Sequence, residues 1–404
     1  MGVCKVCGTE TKEVIKLGKM PIANGFLKDV SEDEYFFNLD VDYCPECHMV
    51  QLDETVPPEK MFHGDYQFFS STSNAMAAFF KRNSEEIIER TKGKEDPFVV
   101  ELGCNDGIML KHVAASGIRQ LGVDPSANVA ARAKEQGVNV LVDFFNKQTA
   151  EKIIAEHGKA DVICGSNVFC HIENINSVFE GLATLLKDDG YVYFEDPYMA
   201  DIVSKSSFDQ IYDEHVYYFS GLSVRELAKR HGLQLVEMKH QDVHGGSMRY
   251  YLRKGDNNEI LPSVEECVEK ELALKMDCHE GYQAFKNNVD QIVSDLKETL
   301  GDFKSQGNRV VAYGATSKST TLLTYAQIGP ETIDYICDTT PGKIGKFTPG
   351  MHIPVVDYKQ FQEEDNNCTL LLAWNHKKEI FAKEEEYRNK GGKFITYFPK
   401  VTVE

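Results

Sequence analysis

Residues Phe98–Gly107 read FVVELGCNDG, a short apolar run followed by an acid, a glycine turn and a second glycine. Phe98, Val99 and Val100 suit a buried strand, and Glu101–Gly107 turns that strand into an apolar, helix-like run from Ile108. Gly103 and Gly107 permit backbone angles and close approaches that other residues resist. Gln120–Val123 then reads as a second strand ending at Asp124, about 20 residues past the glycine turn, where a carboxylate can hydrogen-bond a ribose diol. Together these features predict a nucleoside site at the edge of a parallel sheet.

What the loop lacks narrows the nucleoside. A dinucleotide-binding turn needs G-x-G-x-x-G so that a helix N-terminus can approach a pyrophosphate. Here the order is E-x-G-x-x-x-G, with Asn105 and Asp106 inside the turn, and an acid there repels phosphate but suits a ligand carrying an ammonium and a sulfonium. The residues resemble the glycine-rich loop of class I S-adenosylmethionine (SAM) methyltransferases. That resemblance implies Glu101, Gly103, Asn105, Asp106 and Gly107 along the loop and Asp124-Pro125 at the ribose. An ordinary strand-turn-helix of another α/β protein is the competing reading.

With 404 residues the chain is long enough for two or three domains, each with its own core. Its 63 acidic against 44 basic residues, a formal charge of −19, disfavour nucleic acid and anionic membranes as partners. No apolar run approaches the roughly 20 residues of a membrane span, and the opening MGVCKVCGTE lacks a signal-peptide core. An odd number of cysteines, 11, fits a reducing cytoplasm better than a disulfide framework.

Cys4-Lys-Val-Cys7 and Cys44-Pro-Glu-Cys47 form two C-x-x-C knuckles. Cys4, Cys7, Cys44 and Cys47 offer four thiolates to one tetrahedral Zn²⁺, and a site filled by sulfur leaves no position for a reactive water, so the predicted metal is structural. A redox C-x-x-C is the competitor, but it needs one pair in a thioredoxin-like context. His48 reads as a bystander.

Farther on, YQFFSSTS (residues 66–73) leads into a helix over Ala75–Thr91; its aromatics suit a core and its hydroxyls a helix cap. After the glycine loop come a helix over Ser126–Gln136 and a strand Val138–Val142 ending in Asp143-Phe144-Phe145, where this fold commonly places a carboxylate and an apolar wall near adenine. A fourth strand, Asp161–Ser166, precedes Asn167–His171, which falls at the ligand-binding edge of such a sheet. A turn over Lys187–Gly190 is expected before a fifth strand, Tyr191–Phe194. Residues 211–220, IYDEHVYYFS, are unusually rich in groups able to move protons. Ser223–His231 reads as a helix, Gln234–Lys239 as extended, and Asp242–Arg249 as the approach to a strand Tyr250–Arg253.

Pro262–Phe303 is charged and helix-periodic, one or two long helices with no assigned chemistry. A second α/β pattern follows: strand Arg309–Tyr313, the turn Gly314–Thr321 into a helix, a strand Thr332–Ile336 ending at Asp338, and a strand Thr369–Ala373 ending at Trp374-Asn-His376. Amides, hydroxyls and Lys318 at that helix N-terminus make an anion site, and no Walker A pattern is present. A dimerisation or scaffold domain with a vacant loop is the alternative for this module.

Across its length the chain resembles the sugar-nucleotide C-methyltransferases, on the paired knuckles, YQFFSSTS, ELGCNDG, NVFCHI, YDEHVYYFS, HGGSMR and YGATSKSTT. The resemblance implies an α/β architecture in three parts: a zinc-binding module (1–65), a doubly wound SAM domain (66–254), and a helical segment with a Rossmann-like sugar-nucleotide domain (255–404). It implies methyl transfer from SAM, leaving S-adenosylhomocysteine, to C3 of a 4-keto-6-deoxy sugar on a nucleoside diphosphate. His215 is the implied base, with Tyr66, Tyr212 and Glu214 lining the reacting sugar and Asn167 and His171 near the two ligands. Ser70, His244, Ser247, Arg249, Ser317, Lys318, Asp338 and Lys343 are the further substrate-side candidates. A monomer or weak homo-oligomer is expected. The chemistry needs such a set: a carbon beside a ketone becomes nucleophilic by proton abstraction, which a histidine suits, and phenol donors stabilise the oxyanion. An O- or N-methyltransferase would share the loop without that pocket, and a non-enzymatic zinc and nucleotide scaffold would use the proton-rich segment as core.

Overall fold

The computed structural model describes residues 2–57, 74–364 and 367–404. The N-terminal part supplies strands β1 (Lys12–Pro21), β2 (Phe36–Tyr43) and β3 (Val50–Leu52). The middle supplies β4 (Phe98–Leu102), β5 (Arg119–Val123), β6 (Val140–Leu141), β7 (Ala160–Ser166), β8 (Leu186–Pro197), β9 (Tyr217–Tyr218), β10 (Leu233–Gln241) and β11 (Ser247–Lys254). The C-terminal part supplies β12 (Val310–Tyr313), β13 (Ile336–Asp338), β14 (Val355–Asp357), β15 (Cys368–Leu371), β16 (Lys393–Thr396) and β17 (Thr402–Val403).

The central sheet has the order β10-β11-β8-β7-β4-β5-β6, parallel except for β11, which runs against both its neighbours. From β4 the chain winds outward to β5 and β6, then crosses back to β7, so the strand order reverses between β4 and β7. The C-terminal sheet repeats this plan: β12 leads out to β13 and β14, and β15 and β16 return on its other side, with β17 as an antiparallel edge. Each switch point is made by a glycine that no other residue could replace without movement. Gly103 has φ +63°, and a Cβ there would stand 2.3 Å from Val168 Cγ2; Gly314 has φ +90°, and its Cβ would meet Ala373 Cβ at 2.6 Å. Strand-end pockets form at such reversals.

The N-terminal sheet is antiparallel in the order β1-β2-β3-β9, so its last strand is borrowed from the segment directly after His215. One apolar core runs from this sheet through one face of the central sheet into the C-terminal sheet, taking in Val41, Val100, Leu296, Leu322 and Ile395. Helix Asn74–Thr91 covers the opposite face of the central sheet, where Phe79, Phe80 and Ile87 pack with Val99, Val162 and Tyr251. Two helices fill Pro262–Phe303, namely Pro262–Ala273 and His279–Ser305. The longer buries Tyr282, Phe285, Val289, Ile292, Leu296 and Leu300 at helical spacing, and Tyr282 meets Tyr43 with ring centroids 4.6 Å apart. In the shorter, the buried carboxylate of Glu271 accepts from Gly221 N at 2.7 Å and Leu222 N at 2.9 Å, capping helix Gly221–Arg230 at its positive end.

Two expected elements differ. Lys187–Gly190 is no separate turn: β8 begins at Leu186, and the residues between Leu186 and Tyr191 bulge out of register, since Ala160 pairs with Leu186 and Val162 with Tyr191. The strand expected at Thr332–Ile336 forms at Ile336–Asp338, because it pairs in parallel with the end of β12, at Ala312 and Tyr313.

Candidate active site

Glu101 lies near the end of β4, 3% exposed, and burial, then Asp124 and Asp106, push its carboxyl well above the ordinary range. Its Oε2 has no hydrogen-bond partner among the described residues. A buried acid lacking a partner calls for a cationic complement, so this end of the sheet fits SAM, whose ammonium and sulfonium supply one. Asp124 follows β5 directly and accepts from Asn105 N and Ser126 N, each at 2.9 Å, which ties the glycine loop to the end of that strand. Asn105 (φ +49°) and Gly107 (φ +77°) hold the turn, with Asp106 buried inside it and its N donating to Asn105 Oδ1 at 2.8 Å. Pro125 is exposed beside the loop. Asp143 pairs with Lys152 at 3.0 Å, and Phe144 is 66% exposed, an apolar ring free to cover a flat base.

The close packing of Gly103 on Val168 brings this loop against the turn that carries Asn167 and His171. Asn167 has φ +55° and donates its N–H to the Glu195 carbonyl at 2.6 Å; its Nδ2 stands 3.5 Å from His171 Nε2. His171 Nδ1 lies 2.7 Å from the carbonyl of Glu214, so it carries the proton and Nε2 the lone pair. The same logic holds at His215. Its Nδ1 donates to the Gln210 carbonyl at 3.2 Å, and Nε2 accepts from the Tyr212 hydroxyl at 3.0 Å. Burial, reinforced by His171 and Lys318, holds His215 well below the usual histidine range, so it is neutral at pH 7. Burial also raises Tyr212, which stays a phenol and a donor. The two imidazole rings stand 5.1 Å apart.

Glu214 and the C-terminal module are joined through a residue the sequence did not single out. Asn24 Nδ2 donates to Glu214 Oε1 at 2.8 Å, and Ser317 Oγ donates to Asn24 Oδ1 at 2.7 Å. Neighbouring Asp213 accepts from Ala23 N at 3.0 Å and is pushed up to about 7 by burial and Glu214. Lys318 donates to the His244 carbonyl at 2.6 Å, lies 5.3 Å over Trp374, and is pushed down to about 8 by burial, which Asp209 opposes. Burial lowers His244 to about 4. Lys343 donates to the Ala315 carbonyl at 2.7 Å, and Asp338 accepts from Ala315 N and Thr340 N, each at 2.7 Å. Beside this loop, at the second switch point, a cavity of about 410 Å³ opens between Tyr313, Thr316, Asp338, Tyr358 and Lys383. That is the size of a small-ligand site.

Two candidates stand apart. Arg249 is 3% exposed, and its guanidinium is committed to Glu195 at 2.7 Å, Glu86 at 3.0 Å and Asn83 at 2.7 Å, the last two on helix Asn74–Thr91. Ser247, also buried, points its Oγ at the Val243 carbonyl, 3.4 Å away. Tyr66 and Ser70 lie outside the described residues. Asp196, Asp209 and Asn24 surround the site without having been readable beforehand; each sits in a loop or strand end whose neighbours come from distant parts of the chain.

At the N-terminus the four thiols converge, Cys4 Sγ to Cys47 Sγ at 3.5 Å and Cys7 Sγ to Cys44 Sγ at 3.4 Å, all four sulfurs within 4.8 Å of one another. Zn–S bonds of about 2.3 Å place sulfurs roughly 3.8 Å apart in a tetrahedron, so the set fits one structural Zn²⁺. The knuckles are equivalent in backbone as well: Gly8 N donates to the Cys4 carbonyl and His48 N to that of Cys44, each at 2.9 Å.

Known proteins match each part. Family models described as “Putative zinc binding domain”, “Methyltransferase domain” and “C-methyltransferase C-terminal domain” match residues 4–62, 69–238 and 242–399. C-methyltransferase NovU of Streptomyces niveus is 32% identical over 404 residues, covering 99% of this chain and 96% of that protein. The ubiquinone biosynthesis O-methyltransferase of Cronobacter sakazakii is 31% identical over 110 residues, 27% of this chain and 45% of that protein. A solved S-adenosylmethionine-dependent methyltransferase from Clostridium acetobutylicum has a TM-score of 0.36 at 14% identity, covering 44% of this chain and 92% of that one.

Proposed function

Because the chain belongs to the SAM-dependent C-methyltransferase family, with a zinc-binding cysteine cluster, we propose that it methylates C3 of a nucleoside-diphosphate 4-keto-6-deoxy sugar by His215-catalysed enolisation. The observation that carries this reading is the buried, neutral His215, its Nδ1 proton held by the Gln210 carbonyl and its Nε2 lone pair facing the Tyr212 hydroxyl. Carbon methylation needs a base before it needs a methyl donor. Bound SAM supplies an electrophilic methyl on a sulfonium. His215 Nε2 takes the proton from the carbon beside the ketone, a role typically worth about 10²–10⁴ in rate. With the ketone at C4, the C–H electron pair at C3 becomes the C3–C4 double bond as the charge moves onto the ketone oxygen, and C3 then attacks the SAM methyl; the family resemblance, and not this step, favours C3 over C5. Tyr212 turns its hydroxyl from Nε2 to the ketone oxygen, freeing the base and stabilising the oxyanion at once. Tyr66, which the family resemblance brings to the same sugar, is the second phenol. Glu214, held by Asn24, binds a sugar hydroxyl.

The domain division proposed with this reading is 1–65, 66–254 and 255–404, the last holding the nucleotide. Lys318, Lys343 and the Gly314–Ser317 amides face the diphosphate, and the 410 Å³ cavity beside them suits the nucleoside. The test is incubation with SAM and a panel of nucleoside-diphosphate 4-keto-6-deoxy sugars, followed by NMR of the product. A new methyl on C3 is expected. A methyl on oxygen or nitrogen would overturn the enolisation reading, and one on C5, the other neighbour of the ketone, would move the proton abstraction to that carbon.

A further inference from the structure

We infer that Cys170, His171 and His215 form a second metal-binding site, for a borderline-soft divalent cation such as Zn²⁺, whose occupation silences the enzyme. The thiol sulfur and one nitrogen of each imidazole lie within 4.8 Å of one another. Tetrahedral zinc holds such ligands roughly 3.3–3.8 Å apart, so closure on the ion needs side-chain adjustments of about 1 Å. Both imidazoles are already in the tautomer that metal ligation requires. Each donates Nδ1–H to a backbone carbonyl, His171 to Glu214 at 2.7 Å and His215 to Gln210 at 3.2 Å, the usual outer contact of a metal-bound histidine. Each therefore presents its Nε2 lone pair, and two donors must swing away, the Tyr212 hydroxyl from His215 and Asn167 Nδ2, 3.5 Å off, from His171.

A second observation points to a cation at this place. Asp196 is 1% exposed, interacts with Cys170, and has an Oδ2 with no hydrogen-bond partner among the described residues. The buried Oδ2 beside the sulfur complements a divalent ion, and coordination releases the Cys170 thiol proton, with any proton on Asp196, to solvent. His171 is half-buried, whereas Cys170 and His215 are buried. The donor set differs from the N-terminal cluster. Four sulfurs there close the metal off, whereas one sulfur and two nitrogens here leave a fourth position for water or the Tyr212 oxygen. A cation in this position ties up Nε2 of His215.

The inhibitory consequence rests on the proposed reading of His215 as the base; the binding itself does not. The full chain, dialysed against a weak chelator, should retain one zinc, and in buffered excess zinc should take up a second. Cys170→Ala and Cys170→Ser should stop at one. In activity assays zinc should inhibit the wild-type chain, and either variant should need roughly 10- to 100-fold more zinc for the same inhibition. A second zinc bound equally by both variants, or no second zinc in the wild type, would overturn the site. A second zinc that depends on Cys170 yet leaves methyl transfer untouched would keep the site, overturn the inhibition, and count against His215 as the base.

Discussion

At His215 a single hydrogen bond decides which nitrogen can accept a proton. With Nδ1–H held by the Gln210 carbonyl, only Nε2 is available, and burial keeps it unprotonated well below the usual pKa of about 6.5. His215→Asn keeps hydrogen-bonding capacity but cannot accept the proton. It should lose most methyl transfer and all solvent-deuterium exchange at the sugar carbon while still binding both ligands; near wild-type turnover would transfer the role to Tyr66 or Tyr212. A second residue-scale expectation concerns Asp196, pushed up to about 7 by burial. Its folded-state value lies above the unfolded one of 3.8, so between those pH values the native state holds a proton that the unfolded chain has lost. Stability from this group is therefore present at low pH and lost as pH rises towards 7. Asp196→Asn lacks that loss and should gain on the wild type across the window, by up to about 4 kcal/mol at its upper end, and no further above it. Denaturant unfolding at a series of pH values checks this, and a gain that shrinks with rising pH would contradict it. Neither Gln210 nor Asp196 was visible in the sequence, because a backbone carbonyl has no residue-type signature and a lone aspartate at a strand end has none either.

Among the elements, β9 links the zinc cluster to the chemistry. Val50 and Gln51 of β3 pair with Tyr218 and Tyr217, and Leu52 N donates to the Val216 carbonyl at 2.9 Å, one residue past His215. The module that the metal holds together thus also holds the backbone that carries His215. Cys44→Ser should release zinc and lower Tm by about 10 °C or more, as a structural zinc contributes several kcal/mol. It should also reduce turnover even at temperatures where the variant remains folded. Full activity in a zinc-free variant would show that β9 does not depend on the cluster. Elements with strong local signals were legible. The knuckles, the two glycine turns and the strands feeding them all stand where their spacing and apolar runs predicted. The borrowing of β9 was not, since a two-residue strand acquires its identity from a partner far away in sequence. The Lys187–Gly190 bulge was read as a turn for the same reason: Asp-Asp-Gly has turn chemistry, and only pairing with β7 draws it into a strand.

For the whole molecule, three parts of the chain meet around His215 through hydrogen bonds rather than through the apolar core alone. Thr321 Oγ1 donates to the Ile211 carbonyl at 2.7 Å, Thr320 Oγ1 to that of Ala23 at 2.9 Å, and Lys318 to that of His244 at 2.6 Å. Lys318→Ala removes a charge remote from the methyl, so it should raise KM for the sugar nucleotide roughly 10-fold or more and leave SAM affinity unchanged. An equal loss of SAM binding would mean that the C-terminal module serves another ligand. Trp374 acts differently. Its Nε1 donates to Asp209 Oδ2 at 2.7 Å, Tyr397 donates to the same oxygen at 3.1 Å, and Asp209 precedes the very residue, Gln210, whose carbonyl orients His215. The C-terminal domain therefore reaches His215 through one short turn, Phe208–Gln210. Trp374→Phe keeps an aromatic ring but deletes one of the two side-chain donors to Asp209 Oδ2, leaving the fully buried carboxylate with the Tyr397 hydroxyl and the Gln210 N–H. A small displacement of the Gln210 carbonyl would misaim Nε2, and misplacement of about 1 Å can cost up to about 100-fold in rate. The expected outcome is a fall in kcat of roughly 10-fold, slower deuterium exchange at the sugar carbon, and little change in KM for either substrate. A rise in KM with kcat intact would show instead that Trp374 serves the nucleotide and that the turn holds its position without it.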